Sequence, residues 1–254
     1  MSLRHQGKVL ASVAASTLTG WRGTRALASV KAAAEPLVLF DIEACPHCRA
    51  VRQALTALRL DVLIQPCPKG GTRFRPLAQA RGGKQQFPLL IDPNTGEVLL
   101  ESAAIIDYLF ATYAPAGTAP AMRPTRLATR FSELASLSRG LRGLKAHAAR
   151  PAEQPLHLWS FESSPYSRLV RERLCELELP YLLHNLGKEQ FADLGPARLR
   201  VRPGPYKPLP DGPRAAMLAR LGRVQVPYLE DPNSGRKLFE SADILAYLDH
   251  QYAL

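Results

Sequence analysis

Two cysteines three positions apart, Cys45 and Cys48, stand in the sequence Glu43-Ala44-Cys45-Pro46-His47-Cys48, after a short apolar run and before a helical stripe. A Cys-x-x-Cys that follows a strand and opens a helix is suited to thiol–disulfide exchange. The free N–H groups and the positive end of the helix dipole stabilise a thiolate on the first cysteine, and the thiolate is the attacking species. The second cysteine, one turn further in, can attack the mixed disulfide that results. Two other readings stay open on these residues alone: a metal half-site completed by Cys67 or His47, and an inert pair. Zinc sites usually need a second Cys or His pair at similar spacing; the chain has none, so no metal is expected. Protonated, His47 would favour the thiolate of Cys45 further. Cys175 falls within a helical stripe and reads as a small buried hydrophobe. Cys67, between two prolines, could be a third redox thiol.

The elements around the pair follow from periodicity. Leu37 to Phe40 reads as a strand. From Pro46, apolar residues at 51, 54, 55, 58 and 60 make a helical stripe, with proline in the first turn, where its missing N–H does no harm. Asp61 to Pro66 reads as a second strand and Arg73 to Gln79 as a short helix before Gly82-Gly83. Pro88 begins a third strand. Asp92-Pro93-Asn94-Thr95-Gly96 is a hairpin turn, Val98 to Leu100 pairs back, and Ser102 caps a helix to Tyr113. The order is β-α-β-α-β-β-α.

That unit occurs twice. Residues 37–62 align without a gap on 156–181 with ten of 26 positions identical, and 87–113 align on 226–252 with 14 of 27 identical. At the equivalent positions Cys45-Pro46-His47-Cys48 becomes Ser164-Pro165-Tyr166-Ser167. The second copy kept the scaffold and lost the thiols. It also carries 20 extra residues before Pro227, including the proline-rich stretch Gly195 to Pro213, which reads as an excursion outside the core. The fold class expected is α/β: an N-terminal basic arm (1–35), a thioredoxin-like domain with the CPHC (36–114), a helical linker (115–154) and a second thioredoxin-like domain with the SPYS (155–254).

Net charge is +11, and its location is informative. Segments 1–34, 114–155 and 187–225 are each +5, so the remainder sums to −4. The excess sits on connecting and terminal segments, which reads as solvated surface, with an acidic partner, nucleic acid or anionic lipid as the functional alternatives. No nucleic-acid motif is legible. No apolar run approaches the roughly 20 residues that cross a bilayer, so a soluble chain is expected. Four cysteines do not make a disulfide framework, so a reducing, cytoplasmic setting is expected. The basic, acid-free, Ser-rich first 30 residues read as a retained, partly helical arm; an organellar transit peptide for plastid or mitochondrion, or a secretory signal, is the alternative. Between the copies, Leu127, Phe131, Leu134, Leu137, Leu141 and Leu144 trace one helical face to about His147. We expect that face to be buried against both repeats in a fixed interface, with a membrane-surface helix as the runner-up.

The strand, the CPxC, the helix, the Phe-Pro before a strand and the Glu-Ser at a later helix start resemble the glutaredoxins and the N-terminal, thioredoxin-fold domain of glutathione S-transferases. Two such domains with EACPHCRAVRQAL, PCPKGG, GGKQQFPLLIDPNTG and ERLCELELPYLLHN look like the tandem-domain thioredoxin family proteins of plants and bacteria. The resemblance covers roughly 37 to 254. It implies a glutathione-linked thiol–disulfide oxidoreductase, with Cys45 attacking and Cys48 resolving. Glutathione would be the co-substrate and disulfide-bonded or glutathionylated proteins the substrates. Pro88 matches a cis-proline whose preceding residue, Phe87, pairs with the cysteinyl backbone of glutathione. Glu101 and Ser102 match the pair that holds the γ-glutamyl end, and Lys84 and Gln86 lie where the glycyl carboxylate is met. Val226, Pro227, Glu240 and Ser241 fill the same places in the second copy. There Ser164 either activates glutathione by hydrogen bonding or caps a helix. A non-catalytic glutathione-binding or protein-interaction module, or transferase-like activity, is the alternative. No all-helical domain of the kind that gives transferases most of their electrophile site is expected after the second repeat, so conjugation of apolar substrates is not expected.

Overall fold

The computed structural model describes residues 3–120, 122–195 and 205–254. Part of the proline-rich excursion predicted before Pro227, residues 196–204, lies outside the described residues. The first repeat runs β1 (Leu37–Asp41), α2 (Pro46–Ala57), β2 (Val62–Pro66), α3 (Arg75–Gly82), β3 (Leu89–Asp92), β4 (Glu97–Leu100) and α4 (Ser102–Tyr113). The second runs β5 (Leu156–Ser160), α6 (Pro165–Glu176), β6 (Tyr181–Asn185), α7 (Pro213–Leu221), β7 (Tyr228–Asp231), β8 (Arg236–Phe239) and α8 (Ser241–Tyr252). A helix precedes each repeat: α1 (Leu3–Leu18) and α5 (Arg126–Leu137). Both repeats are thioredoxin-like β-α-β-α-β-β-α units, as expected.

Strand alternation sorts the core into two faces. Leu37 and Leu39 point to one side, into a cluster with Val51, Leu55, Ile106 and Leu109 of α2 and α4. Phe40 points to the other, with Ala78 of α3, Leu89, Cys48 and Cys67. Proline at the first turn of α2 and again of α6 starts each helix without a lost hydrogen bond.

Within each repeat the strands pair as the unit requires, β1 parallel to β2 and antiparallel to β3. What the periodicity did not reveal is that the two repeats share one sheet. The order is β4-β3-β1-β2-β6-β5-β7-β8, closed at its centre by β2 against β6. This seam is antiparallel and short, with Val62 opposite Leu183, Leu63 opposite Leu182 and Ile64 opposite Tyr181. Like strands meeting antiparallel relate the repeats by a pseudo-two-fold axis normal to the sheet, and each repeat loses an open edge.

The segments before the repeats obey the same axis, and they cross. Helix α1, ahead of the first repeat, packs on α6 of the second, whereas α5, ahead of the second, packs on α2 of the first; α1 and α5 also touch. Beyond each helix the chain returns past the opposite repeat, bridging Arg25 to Lys188 and Lys145 to Lys69. Two glycines make the crossing possible. A Cβ on Gly23 (φ +76°) would lie 2.8 Å from Cβ of Glu162, and one on Gly143 (φ +75°) 2.9 Å from Cβ of Glu43. The expected fixed interface between the repeats is therefore present, but by a different route.

The face that α5 buries is not the predicted one. Ser132, Ala135 and Ser136 are buried, whereas Leu127, Phe131, Leu134, Leu137 and Leu141 are exposed, and the helix ends at Leu137 instead of near His147. The physical reason is on α2. The Arg49 guanidinium lies under α5 and donates to Ser132 O (2.7 Å), Ser132 Oγ (2.6 Å) and Ser136 Oγ (2.8 Å), and Ser136 Oγ donates to Ala44 O at 2.8 Å. Small hydroxylic residues let the helix sit close enough to satisfy that buried cation, and leucines would not. Helix α1 repeats the arrangement with Ser12, Ser16 and Arg168. Because Ala135 is only 1% exposed at this contact, Ala135→Leu is expected to cost about 1–3 kcal/mol through overpacking. Urea unfolding of the variant checks it; an unchanged midpoint would place α5 more loosely than described.

Candidate active site

Cys45 is the N-cap of α2, with extended backbone (φ −71°, ψ 127°) and Pro46 next as the first helical residue. Its side chain is half-buried, whereas Cys48 is fully enclosed against Phe40, Ile42 and Leu89. The Cys48 thiol stands next to the Cys45 sulfur, and the N–H groups of Cys48 and His47 lie at the same helix start without closing a side-chain cap hydrogen bond. The polar influence of the Cys48 thiol first, and of these N–H groups after it, outweighs burial and the nearby Asp41 carboxylate and brings the Cys45 thiol down to about 6. Burial, together with its neighbour Cys45, pushes the Cys48 thiol well up. One sulfur is therefore a thiolate at neutral pH and the other holds its proton. Cys67 belongs to the same cluster, but it is closed from solvent and burial raises its thiol. Cys175 is buried at the contact between repeats, its thiol donating to Gly143 O at 3.2 Å.

Of the other residues predicted for this site, Phe87 shares the apolar cluster of Cys45 and Ser102 reaches His47, while Gln86 and Glu101 bond to each other. The Phe87-Pro88 peptide is cis. Phe87 packs on the same apolar cluster as Cys45, with the Arg75 guanidinium 5.1 Å from its ring centroid. Glu101 is the N-cap of α4 at φ 68°, a conformation that a non-glycine residue holds at a cost. Its exposed carboxylate accepts from Gln86 Nε2. Ser102, expected as the cap, is instead the first helical residue; it is buried, with Oγ 3.4 Å from His47 Nδ1, joining the starts of α2 and α4. Lys84 is exposed in the loop beside them.

The second copy keeps the frame and differs in access. Val226-Pro227 is cis, Glu240 has φ 65°, and Gln225 Nε2 donates to Glu240 Oε1 at 2.7 Å. Ser164 caps α6: its Oγ accepts from Ser167 N–H at 3.3 Å and from Ser167 Oγ at 2.9 Å. Ser164 and Ser241 are each 2% exposed, and His5 of α1 reaches Ser241 Oγ with Nε2 at 3.1 Å. The extra first turn of α1 thus adds a contact at Ser241, and Ser164 is more deeply covered than Cys45 of the first copy. The counterpart of His5 ahead of α5 is Thr125, which turns to cap its own helix through Ala128 N–H.

Sequence reasoning missed a buried ionic cluster under both helix starts. Arg52 binds Asp41 (2.6 Å), Glu43 (3.3 Å) and Glu162 (2.9 Å), and Arg171 binds Glu43 and Glu162 at 3.1 Å each. Each arginine thus holds a carboxylate of the other repeat. The signal was available: Glu43 and Glu162 match between the copies, as do Arg52 and Arg171. Asp41 is the asymmetric member, because its counterpart Ser160 only accepts from Arg171 at 3.0 Å. Among the described residues no group of three His, Cys, Asp or Glu is placed to hold a metal ion.

A duplicated thioredoxin-like fold, with cis-prolines and Glu-Ser helix starts in both copies and a thiol pair in one, defines a tandem thioredoxin-like protein. The chain matches the family described as glutathione S-transferase, N-terminal domain, over residues 39–122 and again over 158–254, and it belongs to that family. Searches of the curated proteins and of the solved structures found no match. The family is associated with glutathione, and among the described residues no helix is long and apolar enough to cross a membrane.

Proposed function

We propose that the first repeat is a glutathione-linked thiol–disulfide oxidoreductase. The observation that carries this reading is the unequal thiol pair: a half-open Cys45 lowered to about 6 at a helix start, with the protonated Cys48 enclosed behind it. The Cys45 thiolate attacks the glutathione sulfur of a mixed disulfide. The S–S bond to the substrate breaks, a Cys45–glutathione bond forms, and the substrate leaves as a thiolate that takes a proton from water. A second glutathione thiolate then attacks the glutathione sulfur, releasing oxidised glutathione and restoring Cys45. On a protein disulfide, Cys48 instead gives up its proton and attacks Cys45, and the resulting Cys45–Cys48 disulfide is reduced by two glutathione molecules.

In this reading the backbone of Phe87 beside Pro88 aligns the cysteinyl part of glutathione. Glu101 and Ser102 take its γ-glutamyl end, and Lys84 and Gln86 its glycyl carboxylate. The second repeat, its groove met by His5 and its serines paired to each other, completes the sheet and the charge cluster without thiol chemistry.

The test is the iodoacetamide reaction of the intact protein followed at each cysteine against pH, beside turnover of a glutathionylated peptide with glutathione. The Cys45 rate should rise through pH about 6 and level off above it, because the thiolate is present above that pKa and lost as pH falls through it. A rise centred near the ~8.5 of a free thiol, or no turnover, leaves a binding module instead. The same sign governs stability: a lowered thiol pKa stabilises the native fold above the free-thiol value and loses that contribution as pH falls through about 6.

A further inference from the structure

Helices α1 and α5 form the outermost layer on the α2/α6 side of the sheet. They run antiparallel, since residues 4–11 line one cleft with 138–142, while 18–22 line another with 122–132. Their inner faces are His5, Val9, Ser12, Ala15 and Ser16 on α1 and Ser132, Ala135 and Ser136 on α5. Their outer faces carry Leu3 (87% exposed), Leu10 (68%) and Trp21 (41%) on one helix and its turn, and Leu127 (67%), Leu134 (51%) and Leu137 (58%) on the other. Single exposed leucines are ordinary, but a stripe along each of two neighbouring helices is not. Basic residues share these helices and the turns after them: Arg4 and Lys8 on one, Arg126, Arg130 and Arg142 on the other, with Glu133 the lone acid on either helix. Among the described residues none of these five cations has an ion-pair partner.

We propose that this two-helix face docks on an anionic lipid bilayer, lying in the headgroup region with its leucines and Trp21 dipping toward the acyl chains. Apolar side chains flanked by unpaired cations are complementary to such a surface. The same charge opposes the rival occupant, a second copy of this chain, because two identical faces would bring like charges together. The proposal is independent of the thiol chemistry, since neither Cys45 nor the residues around it contribute to the stripe.

Flotation of the full-length protein with vesicles tests it, comparing equimolar phosphatidylcholine and phosphatidylglycerol with phosphatidylcholine alone. Binding is expected on the anionic vesicles, weakening with salt, and Trp21 emission should shift to the blue in a Trp159→Phe background. Arg4→Gln and Arg130→Gln should each weaken binding about fivefold. The triple variant Leu10→Gln, Leu134→Gln, Leu137→Gln should weaken it more than about tenfold, with an unchanged unfolding midpoint and unchanged peptide turnover as evidence that it is folded. No flotation on anionic vesicles, equal binding to phosphatidylcholine alone, or full binding by the triple variant would overturn the proposal. So would a dimer in solution that the triple variant converts to monomer, since the face would then belong to a second copy.

Discussion

Cys45→Ser should lower deglutathionylation on the order of 10³-fold or more, the scale at which other covalent catalysts lose activity with their nucleophile, while leaving the fold intact. The second repeat shows why the fold should survive: Ser164 holds the same helix-capping place and is satisfied by Ser167 N–H. Cys48 variants then separate two roles of that thiol. Ser167 Oγ donates to Ser164 Oγ at 2.9 Å in the second copy, so a hydroxyl at the fourth position of the motif reaches the first. Cys48→Ser should therefore keep the donor that lowers Cys45 and hold its alkylation midpoint near 6, whereas Cys48→Ala removes the largest contribution and should move it upward. Both variants should retain deglutathionylation, resolved by glutathione from solution, and lose reduction of protein disulfides as mixed disulfides accumulate. Stopped-flow alkylation and turnover of a glutathionylated peptide provide the measurements. Equal midpoints for Cys48→Ser and Cys48→Ala would refute a donor at that position as the cause.

Glu162→Ala should cost about 3–5 kcal/mol and weaken the union of the two repeats. The Glu162 carboxylate meets Arg52 at 2.9 Å and Arg171 at 3.1 Å, and both guanidinium side chains are 0% exposed. With Arg49 at 3.8 Å, removing it leaves three buried cations with one partner fewer, and the unmet desolvation of those cations decides the size of the loss. Burial alone would raise this carboxyl, but Arg171 and Arg52 hold it down to about 2. Its stabilising contribution is therefore fully present above the ordinary carboxylate range and is lost as pH falls through about 2. Guanidinium unfolding of the wild type should show one transition, because the charge cluster, the seam and the crossed arms all span both repeats. In Glu162→Ala the midpoint should fall; two separated transitions in the wild type would mean that the repeats are independent.

The duplicated β-α-β-α-β-β-α unit was legible because it is local: strand and helix periods, proline at helix starts and the hairpin turn at Asp92 to Gly96 each depend on neighbours in the chain. The placement of Cys45 at a helix start was legible for the same reason, and its loss in the second copy could be read from the alignment alone. The sharing of one sheet was not. Strand edges pair through backbone N–H and C=O groups, which every residue carries, so nothing in Val62 to Pro66 distinguishes an edge meeting β6 from an edge meeting water.

The leucine stripe of α5 shows the same limit from the other side. Its period predicted a helix, which the structure forms over Arg126–Leu137 only, but which face a helix buries depends on what lies beneath it, and beneath α5 lies the Arg49 guanidinium, which needs the oxygens of Ser132 and Ser136. By itself the sequence determined two thioredoxin-like repeats and one surviving thiol pair. Tertiary structure alone decided that the arms cross, that Glu43 and Glu162 are held by arginines of the opposite repeats, and that His5 meets Ser241 in the second groove. Each of these rests on contacts between residues distant in the chain, 83 positions apart for Arg49 with Ser132 and more than 100 for the charge pairs between repeats and for His5 with Ser241, set by how the repeats dock and not by any local preference of the chain.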